Sequence, residues 1–469
     1  MGAIIAISSI IGGDIFVRDL FWETFYHQHR GPEYSGLAML EEKGIILTKT
    51  HKGWFRPAFQ NDLGGFFGPL GIGHISSGSP EPIFMHSTFP DFALCFVGNI
   101  INQDELWRCF LEKGGTINNN MTDANLISRL IALSIYNTQE GEEDNFMRGI
   151  NHMAQQVQGA FAIAILTESR VYVARGLDGH QTVVLGEKEG TVIAASESCG
   201  FYNRGFTIYR EVEAGEIVIL ENGKSRQFGF IDNPKQIISA PCIFKWVYSA
   251  NAASVILGQS VKKVRQHLGA MLARRDILAR FCPDVIVPIK DSGGYAAIGY
   301  LNEFIRQFRE SKTDKIPIFD EAIMRWIYAG RSYTPADERT RWEEAGIKQI
   351  PIPDPEYKDL IVVIVDDSIV TGNQFEKDLI PKVCACGFGE VHARISFPML
   401  VSTCSWGKAN KKKKKLAAIT EDGNIRTETE MAVLLGLQSC YFNTVQDVFD
   451  AVGDVGCSPC VDCALSSAN

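Results

Sequence analysis

The sequence lacks any long apolar run. No stretch of the 469 residues reaches the roughly 18 to 20 apolar residues that a membrane-spanning helix needs. The first residues, Met1–Ser9, also lack the basic region and the small-residue cleavage site of a secretory signal. We therefore expect a cytoplasmic protein that does not enter a membrane, with Met1–Ser9 forming a first strand.

An excess of positive charge is also missing. The chain has 46 lysines and arginines against 55 aspartates and glutamates, which gives a formal net charge of -9. This balance gives no reason to expect nucleic acid or an anionic membrane as a partner. The twelve cysteines lie in a long chain without a signal, which favours a reducing compartment and predicts free thiols or metal ligands rather than a disulfide scaffold.

Two different patterns divide the chain. In the first half, short apolar runs alternate with turns, and helical patterns intervene, which predicts an α+β domain with mostly antiparallel strands. Beyond about residue 235, strands alternate with helices as in a doubly wound parallel sheet. We expect domains at 1–235 and 236–469. The helices and strands predicted with the clearest bounds are Asp19–Gln28, Asp123–Tyr136, Asn145–Gln156, Val255–Ala279, Val285–Pro288, Gly294–Phe308, Leu360–Val365, Asn373–Cys384 and Val391–Phe397.

The most informative stretch is Leu360–Asn373, in which six apolar residues run into Asp366 and Asp367. The apolar run predicts a strand that is buried on both faces of a parallel sheet, and ligands of such sheets bind beyond the carboxyl ends of the strands. Adjacent carboxylates repel each other unless ligand hydroxyls or a metal engages them. Thr371 and Gly372 follow where a helix should begin, and backbone N–H groups there form a phosphate site. The alternative is an ordinary strand-to-helix turn with an acidic cap.

This stretch resembles the phosphoribosyl-pyrophosphate (PRPP) motif of type I phosphoribosyltransferases. From about Ala3 to Cys463 the chain further resembles the amidophosphoribosyltransferase family, which makes phosphoribosylamine at the first committed step of purine synthesis. The resemblance implies an α+β N-terminal-nucleophile-type domain (glutamine amidotransferase type 2), followed by an α/β type I phosphoribosyltransferase domain. The segments that resemble family motifs are His29–Gly31 with Gly36, Gly71–His74, Gly98–Leu106, Thr122–Asp123, Cys242–Tyr248, Val264–Gly269, Asp291–Ser292 and Tyr328–Tyr333.

The resemblance breaks down at the positions that would hydrolyse glutamine. Where the family exposes an N-terminal cysteine, whose thiolate attacks the glutamine amide, this chain has Gly2. Val97 replaces an asparagine of the oxyanion hole beside Gly98, and Ser76 replaces the arginine that clamps the glutamine carboxylate. We predict that the glutaminase is inactive but that its domain still folds, because Arg30 and Asp123 serve packing as readily as catalysis. A mis-assigned start with an upstream cysteine is the alternative, although it would not explain Val97 and Ser76.

The phosphoribosyl site departs less from the family pattern. By resemblance, Asp366 and Asp367 would hold the ribose hydroxyls and, with Ser292, help to place Mg²⁺. The 5′-phosphate would lie in the turn formed by Ser368, Thr371, Gly372 and Asn373. The long charged segment Arg325–Pro355 has little periodicity, which predicts a loop. By resemblance, this segment supplies two catalytic cations, Arg331 and Arg325, of which Arg325 stands in place of the family's lysine. Ile327 replaces a family arginine, and Lys245 replaces a family glutamate.

The cysteines provide a second test of the family. One branch carries a [4Fe–4S] cluster, and the resemblance selects Cys242, Cys404, Cys460 and Cys463 as its ligands and leaves Cys457 unused. A structural zinc ion is the alternative for a tail of this spacing.

Two functions remain open. In the first, the protein aminates PRPP with free ammonia, or with ammonia from another protein. In the second, it is a non-catalytic PRPP-binding relative, such as a partner subunit of an active amidotransferase. We expect a homo-oligomer or such a heteromer.

Overall fold

The computed structural model describes residues 2–41, 44–86, 90–112, 115, 122–136, 145–232, 239–326, 346–404, 406 and 415–465. The chain divides into two compact units, one containing most residues up to Pro241 and the other most residues from Cys242 onward, with Val255–Leu257 counted in the first. The expected boundary between residues 235 and 236 lies outside the described residues and stays a prediction. No helix in the described ranges is both long and apolar enough to cross a membrane.

The first unit contains two antiparallel sheets. The strands are β1 (Gly2–Ser9), β2 (Tyr34–Leu40), β3 (Ile46–Lys52), β4 (Leu70–Ser76), β5 (Ile83–Met85), β6 (Phe92–Ile100), β7 (Gly159–Leu166), β8 (Val171–Arg175), β9 (Val184–Lys188), β10 (Thr191–Ala195), β11 (Thr207–Glu211), β12 (Glu216–Glu221) and β13 (Lys224–Phe230). One sheet has the order β11-β9-β10-β1-β4-β2-β3, and the other has the order β13-β12-β8-β7-β6-β5.

The two sheets pack face to face. The layer between them consists of small and branched side chains such as Ile4, Ala6, Ala162 and Val173. Helices cover both outer faces, so every central strand is buried on both sides. Their bounds are α1 (Asp14–Tyr26), α2 (Phe55–Phe59), α3 (Gln103–Glu112), α4 (Asp123–Tyr136) and α5 (Asn145–Gln156). The predicted bounds of α4 and α5 are confirmed, whereas α1 begins five residues before the predicted Asp19.

Helix α1 carries two acidic residues into the interior. Asp19 forms ion pairs with Lys188 and Arg204. Glu23, one turn later, is fully buried, and neither of its carboxylate oxygens has a hydrogen-bond partner in the described part of the chain. Burial, assisted by the neighbouring charge of Asp19, raises the pKa of Glu23 to about 8. Glu23 is therefore a neutral carboxylic acid at neutral pH.

The second unit is built on a five-stranded parallel sheet. The order is β17-β16-β20-β21-β22, and β20 pairs with β16 on one side and β21 on the other. The elements of this unit, with the short antiparallel pair β18–β19 included, are β15 (Gln259–Ser260), α6 (Val261–Leu278), β16 (Val285–Pro288), α7 (Gly294–Arg309), β17 (Ile318–Phe319), β18 (Ile323–Arg325), β19 (Gln349–Pro351), β20 (Ile361–Asp366), α8 (Ile380–Ala385), β21 (Glu390–Ile395), α9 (Glu428–Leu435), β22 (Ser439–Phe442) and α10 (Val445–Val452); β14 (Val255–Ile256) is counted in the first unit.

A buried ion pair fixes helix α6 against the sheet. Asp276 accepts two hydrogen bonds from Arg394, at 2.6 and 2.7 Å, and a third from the Tyr300 hydroxyl at 2.6 Å. Both charged side chains are at most 1% exposed. Because each charge satisfies the other inside the protein, removing one partner would leave an uncompensated buried charge.

Two sequence-based predictions of this unit are corrected. The helix expected at Val255–Ala279 begins only at Val261, because Leu257 and Gly258 adopt positive φ angles of 48° and 76° and Ser260 caps the helix through its side chain. The segment Arg325–Pro355, expected to be a loop throughout, contains the last residue of β18 and all of β19, which pair antiparallel with Arg325 opposite Gln349. Residues 327–345 lie outside the described residues.

We predict that Glu23 makes the stability of the protein fall with rising pH. Between its ordinary pKa of 4.5 and about 8, the unfolded chain is ionised at this position while the folded chain holds the proton. The free energy of unfolding should therefore fall by up to about 1.4 kcal/mol per pH unit over this window. Glu23→Gln should remove this slope in denaturant titrations from pH 5 to 8. Glu187→Gln, at an exposed position of β9, is the control that should retain it; an unchanged slope in Glu23→Gln would contradict the prediction.

Candidate functional site

The paired carboxylates lie at the carboxyl end of the central strand of the parallel sheet. Asp366 ends β20, and both it and Asp367 are buried. The backbone holds them there, because Ser396 N donates to Asp366 O at 2.9 Å and Phe397 N donates to Asp367 O at 2.8 Å. Asp366 Oδ1 accepts from the Asp367 backbone N–H at 2.8 Å. The strand is therefore placed as the sequence predicts, one residue later than expected.

The electrostatics of this pair are unfavourable. Burial first, and the adjacent carboxylate of Asp367 second, raise the pKa of Asp366 well above its usual range. The positive charge of Lys348 acts in the opposite direction. Oxygen ligands of this kind are what Mg²⁺ prefers in proteins, and a cation or ligand hydroxyls would relieve the repulsion. The donor set therefore fits a hard divalent cation.

The turn after the carboxylates lies at the start of a helical segment. Gly372 adopts a positive φ of 74°, which a glycine accepts without strain, and a helical segment begins at Asn373. Ala417 N donates to Val370 O at 2.9 Å and holds the turn from outside. Ser368 donates to Asp367 Oδ2 at 2.5 Å. Backbone N–H groups at such a start are free to bind an anion.

The helical segment that follows contains an irregularity. Phe375–Leu379 is π-helical before the regular helix α8. Pro381 explains it, because proline has no N–H to donate and its ring clashes with the carbonyl four residues earlier. Widened helical turns of this type are frequent at functional sites. The predicted helix Asn373–Cys384 is thus present, with one local change in its hydrogen bonding.

A second loop lies directly against the end of β20. Gly293, which caps helix α7, packs tightly against the end of β20. A Cβ atom added to this glycine would lie 2.2 Å from the Val365 oxygen and 2.9 Å from the Asp366 Cα. Its neighbour Ser292 is half-buried. The structure therefore brings the predicted metal-site residue Ser292 to the same sheet edge as Asp366.

The loop that contains Ser292 forms two ion pairs. Arg325, at the end of β18, forms an ion pair with Asp291, and Lys290 forms one with Glu321. Arg331 lies outside the described residues, so its predicted role stays a prediction. Sequence reasoning missed Lys348, whose charge acts on Asp366. Its position just before β19, within a segment taken as loop, left no pattern that could have identified it.

The four cysteines expected to share a metal come from three distant segments of the second unit. Cys242 and Cys460 face each other in a parallel β-bridge, and Val401 N and Ser402 N donate to the Cys463 carbonyl oxygen. Burial, and then the nearby sulfurs of Cys242, Cys404 and Cys460, raise the pKa of Cys463 to about 12. The chemistry of this donor set suits an iron–sulfur cluster or zinc. In the described ranges, however, no three potential ligands are grouped so as to hold a metal ion.

In the first unit, the positions of the expected glutaminase site converge around Gly2. Gly2 lies opposite Ser76 in the β1–β4 pairing, and Arg30 Nε donates to the Gly2 carbonyl oxygen at 3.1 Å. A Cβ atom at Gly2 would lie 3.6 Å from Val97 Cγ2. The residues predicted to form this site therefore share one location, where Gly2 has no side chain, Val97 is apolar and Ser76 has only a hydroxyl.

The remaining residues of that site have structural contacts. Ser76 Oγ accepts from the backbone N–H groups of Gly78 and Ser79, at 3.0 and 3.2 Å, so it stabilises a turn. Gly98 has a φ of 152°, and a Cβ there would lie 2.0 Å from the Ala160 oxygen. Asp123 is buried in the first turn of α4.

Comparisons with known proteins agree with this architecture. A glutamine amidotransferase domain family matches residues 71–203. The amidophosphoribosyltransferase of Methanocaldococcus jannaschii is 28% identical over 93% of this chain and 91% of its own length. The enzyme of the same name from Methanothermobacter thermautotrophicus is 29% identical, over 94% and 90%.

Solved structures extend the agreement to the fold. A glutamine PRPP amidotransferase from B. subtilis, complexed with ADP and GMP, superposes with a TM-score of 0.80 at 24% identity, over 98% of this chain and 96% of that one. The allosteric regulatory enzyme of purine biosynthesis gives 0.80 at 25% identity, over 98% and 94%. The predicted fold class, a glutamine amidotransferase domain followed by a type I phosphoribosyltransferase domain, is confirmed. Over more than nine-tenths of its length, the chain is similar in sequence to these amidophosphoribosyltransferases.

Proposed function

We propose that the protein binds PRPP with Mg²⁺ and replaces its pyrophosphate with ammonia, giving phosphoribosylamine for purine synthesis. The observation that carries the proposal is the pair Asp366 and Asp367, buried at the carboxyl end of β20 and followed at once by a turn open to a phosphate. A buried carboxylate pair without a cation is costly, and a magnesium-bound sugar phosphate would supply both the charge and the hydroxyls.

Each part of the site has a role in this reaction. Asp366 and Asp367 would hold the ribose hydroxyls and, with Ser292, the metal, which neutralises the charge of the leaving pyrophosphate. The turn Ser368–Asn373 would bind the 5′-phosphate. Arg325 and Arg331 would stabilise the departing pyrophosphate. Because the transition state resembles an oxocarbenium ion, the protein would act by positioning its groups and neutralising charge.

The ammonia would not come from glutamine hydrolysed by this chain. Gly2 provides no thiolate, Val97 no oxyanion donor and Ser76 no carboxylate clamp. Loss of one oxyanion donor alone costs roughly 10²–10³ in rate. We place the protein in the cytoplasm, using free ammonia or ammonia from an active amidotransferase, as a homo-oligomer or in a heteromer with that enzyme.

A second candidate is a non-catalytic PRPP-binding subunit. Two sequence changes favour it: Ile327 in place of the family's arginine, and Lys245 in place of its glutamate. An assay for phosphoribosylamine with PRPP, Mg²⁺ and ammonium separates the candidates, because only the first forms product.

We predict that PRPP binding depends on the carboxylate pair. Asp366→Asn/Asp367→Asn should weaken PRPP binding in calorimetry by about tenfold or more, because hydrogen bonds to charged groups are worth about 1.5–3 kcal/mol each. PRPP should also raise the melting temperature of the wild type, since a ligand that binds only the folded state stabilises it. The control is Glu421→Gln/Asp422→Asn, an adjacent acidic pair in an exposed turn, which should bind as the wild type does. Equal affinities for all three proteins would place the site elsewhere.

We predict that glutamine is not hydrolysed. Incubation with glutamine, PRPP and Mg²⁺ should release no glutamate above the rate without enzyme, whereas ammonium should support product formation. Release that rises with protein concentration and is blocked by a cysteine-directed glutamine analogue would contradict this prediction.

We also predict a [4Fe–4S] cluster on Cys242, Cys404, Cys460 and Cys463. Anaerobic purification should give a brown protein with roughly four irons per chain, and Cys460→Ser should lose the metal. Cys457→Ser is the matched control in the same tail and should keep it. One zinc per chain would replace the cluster with a structural zinc site, and loss of metal only in Cys457→Ser would show that the tail ligands are assigned incorrectly.

A further inference from the structure

Gln349, the first residue of β19, carries a buried polar group without a partner. The residue is only 4% exposed, and within the described ranges its Oε1 atom has no hydrogen-bond partner. An unsatisfied buried polar group destabilises the folded state, so an apolar side chain would be the more stable choice at this position. A polar side chain at this buried position is explained if its carboxamide forms a hydrogen bond with a bound ligand.

The β18–β19 hairpin determines where this side chain lies. Arg325 and Gln349 are directly opposite each other in the antiparallel pairing, so their side chains share one face of the hairpin. Ile323, two residues before Arg325, is on that face and packs into the hydrophobic core below the sheet. The intervening pair, Met324 and Ile350, is exposed on the opposite face. The face with Gln349 is therefore the inner one.

The inner face ends at the candidate phosphoribosyl site. Arg325, beside Gln349, forms its ion pair with Asp291, in the loop that packs on the end of β20. Lys348, the residue before Gln349, is near enough to act on Asp366. Gln349 thus has one cation before it in sequence, Lys348, and another, Arg325, opposite it in the hairpin.

We propose that Gln349 is a substrate-binding residue that donates a hydrogen bond from its carboxamide to the pyrophosphate group of PRPP. The assignment depends on the proposed function of the site. The oxygen and nitrogen of a carboxamide exchange places by a half-turn about the terminal bond, so the buried end can present the NH₂ group when an anion arrives. In the free protein no donor reaches the buried Oε1 atom, so the half-turn that brings the NH₂ group to this place breaks no hydrogen bond of that oxygen. The neutral amide adds direction to the charge that Arg325 and Lys348 supply.

The inference is tested by replacing Gln349 with leucine, which has a similar size and no polar group. Gln349→Leu should weaken the binding of PRPP and of inorganic pyrophosphate, each measured by calorimetry with Mg²⁺, by about tenfold, the loss expected for a hydrogen bond to a charged group. Its affinity for ribose 5-phosphate should not change, because that compound lacks the pyrophosphate. The ligand-free variant should melt at or above the wild-type temperature, because an unsatisfied group has been removed.

Gln307→Leu is the matched control. Gln307 is also buried, but its amide donates to Glu303 at 2.8 Å, so this variant should lose stability and keep wild-type affinity for all three ligands. Wild-type affinity for pyrophosphate in Gln349→Leu would overturn the assignment, and so would an equal loss for ribose 5-phosphate, which would indicate general distortion. If the wild type itself binds none of the three ligands, the proposed function fails and this assignment fails with it.

Discussion

The second unit depends on one constraint. A strand that is paired on both sides and covered on both faces can carry charged side chains only at its ends, because its interior is shielded from water. β20 satisfies its backbone through β16 and β21, and its interior residues are Val362, Val363, Ile364 and Val365, all without exposed surface. The first polar side chains therefore come at the carboxyl end, as a pair. Neighbouring loops then meet at that edge, because parallel strands all end on the same side of the sheet.

Sequence alone predicted the features that depend on this constraint. The strand, its carboxylates, the glycine turn and the following helix could be inferred, because periodicity and turn chemistry are local properties. The β18–β19 hairpin could not be inferred, since its strands are three residues long and separated by 23 residues in sequence. Lys348 and Gln349 were missed with it. The same limit applied to the start of α6, where two residues with positive φ override a good helical pattern.

In the first unit, residues of the expected glutaminase site also serve the fold. Arg30, Gly98 and Asp123, which the family resemblance connects with glutamine, each have a role in the described structure that requires no substrate: a hydrogen bond to the Gly2 oxygen, a close approach to β7 and a buried helix start. Two sheets with a layer of small side chains between them supply the stability. Retention of such residues is therefore weak evidence of retained activity.

The close packing around Gly2 limits which side chains this position accepts. A Cβ atom at this position would lie 2.9 Å from the Ile75 carbonyl oxygen, closer than carbon and oxygen normally approach without a bond. Any larger residue, cysteine included, would therefore meet the backbone of β4, and β1 and β4 would have to separate slightly to accept it. The substitution Gly2→Cys would thus change the spacing of two paired strands as well as add a thiol.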